Sequence, residues 1–264
     1  MEKIVEIKDN INIGKNNNQD LIADLFLPPE GDSNGAAIVI VHGGGWREGD
    51  KSQLRGYGIL LAREGFVCLC TSYRLSEEEK WPAQIQDVKC AVRYIRANAD
   101  LLNIDPNRIG ISGNSAGGHL SLMAGLRKYN PKFEGEAGNN EVNSSVKAVC
   151  AIYPPAQIRK YENTDPINDA YKTLMGVEAP QEEYDLASPL LQIRDDFPPT
   201  MLIHGSTDSV VNLSDTTDLY KILVDLNIPA ELHIYSEEEH AFDSQSGYGR
   251  SVADLQALFF QKYL

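Results

Sequence analysis

A serine sits among small residues in "GNSAGG" (113–118), directly after the apolar run "NRIGIS". A hydroxyl attacks a carbonyl carbon near neutral pH only if a general base accepts its proton, and histidine is the usual base. The chain has five histidines. His42 belongs to a glycine-rich stretch, His119 follows Ser115 by about one helical turn, His204 ends an apolar run and His233 lies inside another; these four read as structural. His240 alone sits in a polar loop, "SEEEHAFDS". An imidazole base in turn needs a carboxylate that fixes its tautomer and stabilises its protonated form. Asp208, in "HGSTDSVV", lies after the next-to-last apolar run and before His240 in the chain. Its rivals fit less well: Asp195 and Asp196 precede that run, Asp215 falls in a helical stretch, and Asp243 is near enough to His240 for a local turn contact. Glu237, Glu238 and Glu239 read as a solvated charge run.

The same residues imply how the backbone must bend. A serine that points into a cleft from a strand-to-helix turn crowds its neighbours, and Gly113 and Gly117 remove the β-carbons that would clash. The helix that starts there exposes its first N–H groups, Ala116 among them, where a developing negative oxygen can be held. A second glycine stretch, "HGGGW" (42–46), also follows an apolar run, and Gly43 and Gly44 are further candidate N–H donors for that oxygen. Trp46 either walls the cleft beside this loop or packs against a helix. Asn114 and Tyr153 are also candidate substrate contacts, as is Tyr161, although tyrosines under loops are often simply half-buried.

Compact apolar runs at 36–46, 66–74, 108–113, 146–155, 200–205 and 230–236 suit strands covered on both faces, and the alternation at 21–28 suits a half-exposed strand toward one edge. Between them, Ile85, Val88, Val92 and Ile95 form a helical stripe, with Pro82 as the first helical position. Leu219, Ile222, Leu223 and Leu226 repeat the pattern, as do Val252, Leu255, Leu258 and Phe259. This alternation predicts an α/β fold: one domain over 1–264, with a mostly parallel central sheet of about eight strands and helices on both faces. Residues 128–145 read as a surface loop. Residues 154–199 leave the rhythm after the sixth strand and include a short helix, "PINDAYKTLMG", which suits a lid or insertion.

Composition narrows the partners. With 38 acidic against 24 basic residues, the net charge of −14 opposes nucleic acid and anionic membrane. Cys68, Cys70, Cys90 and Cys150 lie in apolar segments and read as buried reduced thiols, without the spacing of a zinc site. No metal or organic cofactor is expected. The amino end lacks the continuous apolar run of a signal peptide, and no stretch approaches the ~20 apolar residues of a membrane span. A cytoplasmic protein is expected, or a secreted one if a leader has been removed, as monomer or homodimer.

Taken in order, "HGGGW", "GNSAGGHL", "HGSTD" and "HAF" resemble the α/β-hydrolase superfamily, in which an HGGG-type loop follows the third strand. Within it the chain is most similar to the small BD-FAE-like acetyl xylan and feruloyl esterases, with the hormone-sensitive lipase group and kynurenine formamidases as relatives. Strand-like sequence beginning near residue 20 leaves little room for the extended amino-terminal cap of the lipase group. The resemblance implies a serine carboxylesterase acting on small ester substrates, acetyl esters of oligosaccharides first and feruloyl esters next. An amide hydrolase, such as an aryl formamidase or a small peptidase, would use the same three residues. A non-catalytic binding protein on the same fold would show a gap among them, and none is visible.

Overall fold

In the computed structural model, residues 4–16, 19–160 and 166–264 are described. The chain forms eight strands: β1 (Glu6–Asn16), β2 (Gln19–Leu27), β3 (Ala37–Val41), β4 (Val67–Thr71), β5 (Ile109–Asn114), β6 (Ala148–Ile152), β7 (Thr200–Gly205) and β8 (Ala230–Tyr235). They make one sheet in the order β1-β2-β4-β3-β5-β6-β7-β8. β1 and β2 are antiparallel to their neighbours, and every pair from β4 to β8 is parallel. The helices are α1 (Arg55–Arg63), α2 (Ala83–Ala97), α3 (Ala99–Leu102), α4 (Ala116–Gly125), α5 (Pro131–Glu134), α6 (Pro166–Met175), α7 (Gln181–Leu186), α8 (Pro189–Gln192), α9 (Leu213–Asp225) and α10 (Ser246–Tyr263).

The parallel strands are continuous apolar runs because both of their faces are buried. In β3, Ala37, Val39 and Val41 belong to the core that holds Val88, Val92 and Ile95 of α2 and Leu219 and Leu223 of α9. Ile38 and Ile40 belong to the opposite core, with Leu61 of α1 and Val252, Phe259 and Phe260 of α10. The four cysteines are buried free thiols. Burial pushes Cys90 up to about 11 and Cys150 up to about 12, so neither supplies a thiolate near neutral pH.

The amino end departs from expectation. Sheet structure begins at Glu6 with a strand not expected from sequence, and β1 takes the edge, so the segment at 21–28 lies toward that edge as expected but is covered on its outer side. β2 lies one place inward, with Ala23, Leu25 and Phe26 buried. Register shifts between Lys8 and Ile11 and between Asn12 and Gly14 interrupt β1, and Asn10 has φ 57°. Such bulges break the period-two alternation that would have revealed the strand. Pro82 is the cap residue ahead of α2 rather than its first helical residue. The predicted short helix in the 154–199 excursion is α6, anchored by the buried residues Ala170, Tyr171 and Leu174.

Candidate active site

Ser115 caps α4 at the carboxyl end of β5, with φ 52° and ψ −120°. A β-carbon on Gly113 would come within 2.4 Å of Gly117 O, and one on Gly117 within 2.0 Å of Val41 O. No side chain fits at either place, so β5 can turn into α4 against β3 only with glycine there. The Ser115 N–H donates to Ile152 O at 2.8 Å, which ties the turn to β6.

His240 reaches this turn from the loop between β8 and α10. Its Nε2 lies 3.0 Å from Ser115 Oγ, and its Nδ1 lies 2.7 Å from Asp208 Oδ2. With the carboxylate as acceptor, Nδ1 carries the ring proton and Nε2 presents a lone pair to the serine hydroxyl. Asp208 sits in the loop after β7, its side chain closed to solvent. Oδ1 accepts the N–H groups of Val210 at 2.9 Å and Val211 at 2.8 Å, and His204 Nε2 lies 3.1 Å from Oδ2. Burial alone would raise its pKa, yet the hydrogen bonds from His204, His240 and Val211 outweigh that and hold it well below the usual carboxylate range. Asp208 is therefore an anion throughout the neutral range. The structure thus brings Ser115, His240 and Asp208 into one hydrogen-bonded chain from three separate loops.

The glycine loop lies against Ser115. A β-carbon on Gly43 would fall 3.3 Å from Ser115 Cβ. His42 Nδ1 lies 2.8 Å from Gly43 O, and the Tyr73 hydroxyl donates to His42 O at 3.2 Å and Gly43 O at 3.3 Å. Gly44, at φ 102°, turns its carbonyl to accept from Arg47 N and Glu48 N. These carbonyls are held within the protein, and among the described residues the N–H groups of Gly43, Gly44 and Ala116 donate to no acceptor. Tyr73, stacked on His42 with centroids 4.2 Å apart, belongs to no sequence motif that would single it out.

Two of the candidate substrate contacts, Trp46 and Tyr153, lie in the core instead. Trp46 is fully buried, donates from Nε1 to His119 Nδ1 at 3.3 Å and packs 5.9 Å from the Tyr171 ring. It is core packing rather than a cleft wall. Tyr153 is also fully buried and offers no surface to substrate. Asn114 is 7% exposed; its Nδ2 donates to the Tyr153 hydroxyl, and its Oδ1 has no hydrogen-bond partner among the described residues and lies beside Gly43. Tyr161 lies outside the described residues. Asp243 does not make the expected local contact: it accepts from the hydroxyls of Tyr57 and Tyr153. Nor is Glu239 merely solvated, because it accepts from Ser209 N and Oγ and so joins the Asp208 and His240 loops. Asp215, in α9, accepts from Ala156 N and pairs with Arg159 at 2.9 Å, far from any role beside His240.

Two of the remaining histidines give a prediction. Burial lowers both His42 and His119 from the ordinary 6.5 to about 4. Between those values the unfolded chain binds a proton at each histidine and the folded chain does not. Stability is therefore full above about pH 6.5 and falls as pH drops toward 4, by about 1.4 kcal/mol per pH unit for each histidine. Urea midpoints measured from pH 7.5 to 4.5 are expected to decline through this window. A flat profile down to pH 5 would contradict it.

Among the described residues no cluster of three or more His, Cys, Asp or Glu could hold a metal ion, and no helix is long and apolar enough to cross a membrane.

A family model described as BD-FAE matches residues 23–223. Esterase LipC of Mycobacterium tuberculosis is 34% identical over 183 residues, which are 66% of this chain and 44% of LipC. The chain spans about half the length of the curated relatives it matches. Among solved structures, a truncated carbohydrate esterase from gut microbiota aligns with a TM-score of 0.82 at 29% identity, covering 97% of this chain and 96% of that one. An acetyl ester-xyloside bifunctional hydrolase from Caldicellulosiruptor lactoaceticus shares the fold, with a TM-score of 0.82 at 24% identity and coverage of 96% and 95%.

Proposed function

Because the chain belongs to the BD-FAE family, whose model covers residues 23–223, we propose that it hydrolyses carboxylic esters by acyl transfer to water, with Ser115 as nucleophile. The observation that carries this reading is the unbroken Asp208–His240–Ser115 hydrogen-bonded chain. Ser115 Oγ attacks the ester carbonyl carbon while its proton passes to His240 Nε2, and the resulting imidazolium is held by Asp208 through Nδ1. The carbonyl oxygen becomes an anion and takes the N–H groups of Gly43, Gly44 and Ala116. Losing one such donor typically costs about 2.7 to 4 kcal/mol of transition-state stabilisation. When the carbon–oxygen bond to the alcohol breaks, His240 Nε2 returns the proton to the departing oxygen and leaves an acyl-Ser115. Water, deprotonated by the same nitrogen, then attacks the acyl carbon; the bond from that carbon to Ser115 Oγ breaks, His240 returns the proton to Oγ, and the acid is released.

Short acyl groups on carbohydrate alcohols are the favoured substrates, acetyl above all. The gut carbohydrate esterase aligns along nearly the whole of this chain, which supports the alcohol class. Burial of Trp46 and Tyr153 leaves neither ring free to line a hydroxycinnamoyl pocket, which favours acetyl over feruloyl esters. The test is kcat/KM across p-nitrophenyl esters from acetate to decanoate, with acetylated xylo-oligosaccharides, methyl ferulate and p-nitroacetanilide. The expected optimum is acetate or propionate, with the ester far ahead of the matched anilide. An optimum at octanoate or longer would overturn the acyl assignment, and an anilide rate equal to the ester rate would favour an amide hydrolase.

A further inference from the structure

Behind His240 lies a buried polar chain that the three-residue relay does not use. Tyr153, just past β6, is fully buried at φ 37° and donates its N–H to Ile203 O at 2.6 Å. Its ring centroid is 4.5 Å from that of His240, with the planes 58° apart. Its hydroxyl accepts from Asn114 Nδ2 at 3.0 Å and donates to Asp243 Oδ1. The other oxygen of Asp243 accepts from the Tyr57 hydroxyl at 2.6 Å. Burial, and then the charge of Asp243, hold both phenols well above the ordinary tyrosine range, so both keep their protons and both act as donors. Asp243 is 9% exposed, and its two oxygens are taken by these two tyrosines.

A cation within about 6 Å of an aromatic centroid is attracted to the negative face of the ring. A phenol that donates to an anion becomes richer in electron density, which strengthens that attraction. The geometry points to Tyr153 and Asp243 as positioning residues that stabilise the protonated form of His240 during acyl transfer, Asp243 acting through the Tyr153 ring. This rests on the reading of Ser115, His240 and Asp208 as the reacting relay. The same chain fixes the loop: Asn114 precedes the nucleophile, Tyr153 follows the strand that Ser115 N–H bonds to, and Asp243 lies three residues past the base.

His240 is also faced by Asp208 from the loop after β7, with His204 behind it, and by Ser115 from the turn before α4. In its own loop, Glu239 is engaged by Ser209 and Glu238 by the Tyr248 hydroxyl. All of these remain in Asp243→Asn and Tyr153→Phe, so a change in His240 titration in those variants reports the buried chain.

The test is an NMR titration of the His240 ring in the wild type, Asp243→Asn, Tyr153→Phe and Tyr153→Leu, with His240→Ala to assign the signal. The midpoint is expected to move to lower pH in Asp243→Asn, and further in Tyr153→Leu than in Tyr153→Phe, which keeps the ring. In parallel, kcat is expected to fall by roughly 3- to 30-fold with KM little changed, the rate equivalent of a lost cation–π contact. If Tyr153→Leu fails to fold, the two conservative variants decide. An unmoved midpoint in folded Asp243→Asn and Tyr153→Phe overturns the inference, whatever happens to kcat. Failure of the ester hydrolysis reading would look different: no ester turnover by the wild type, with the midpoint shifts still present.

Discussion

Replacing Ser115 with alanine is expected to lower kcat for p-nitrophenyl acetate by roughly five to six orders of magnitude, the loss seen when a serine nucleophile is removed from such a relay. The fold should survive. The Ser115 side chain makes one described hydrogen bond, to His240, and the N–H that ties the turn to Ile152 belongs to the backbone. Alanine at φ 52° is strained to the same degree as serine, so the substitution adds no new backbone cost. A melting temperature close to wild type together with lost turnover would separate chemistry from stability. Turnover retained by the purified variant would reject Ser115 as nucleophile.

Asp208→Asn is the second large effect, an expected fall in kcat of about 10⁴-fold. The carboxamide oxygen can still accept the N–H groups of Val210 and Val211, which leaves the amide NH₂ facing His240 Nδ1. Two donors cannot share that contact, so the imidazole turns to the tautomer with its proton on Nε2 and loses the lone pair aimed at Ser115. The charge that stabilised the imidazolium disappears with it. His204 Nε2, 3.1 Å from the same carboxylate, then keeps only Val211 O, also at 3.1 Å, as acceptor, so stability must be measured beside activity. If Asp208→Asn stays folded and turns over esters within tenfold of wild type, the carboxylate is not part of the relay.

How legible the site was depends on what each residue needs from its neighbours. Gly113, Gly117, Gly43 and Gly44 are readable because close backbone approach and positive φ demand glycine locally, and the 2.0 Å approach behind Gly117 shows how strict that demand is. Candidate residues Asp208 and His240 were readable because each lies in a polar loop just after an apolar strand. Tyr73, His204, Tyr57 and the true partners of Asp243 were not, because their roles arise from contacts across 30 to 186 positions of sequence or from a second proton donor on a shared carboxylate. Trp46 and Tyr153 look alike in sequence whether they face a cleft or a core, and only packing decides between them. The edge strand β1 was hidden by its own bulges, whereas the parallel strands, buried on both faces, announced themselves as apolar runs.

Hydrolysis by this relay requires that Ser115 Oγ become covalently acylated and then be freed by water. The most direct measurement is mass spectrometry of the peptide carrying Ser115 after mixing with p-nitrophenyl acetate and rapid acid quench. One acetyl group is expected on Ser115 in the wild type and none on that peptide in Ser115→Ala. An acetyl group found on another residue, or rapid turnover with Ser115 never modified, would contradict the account.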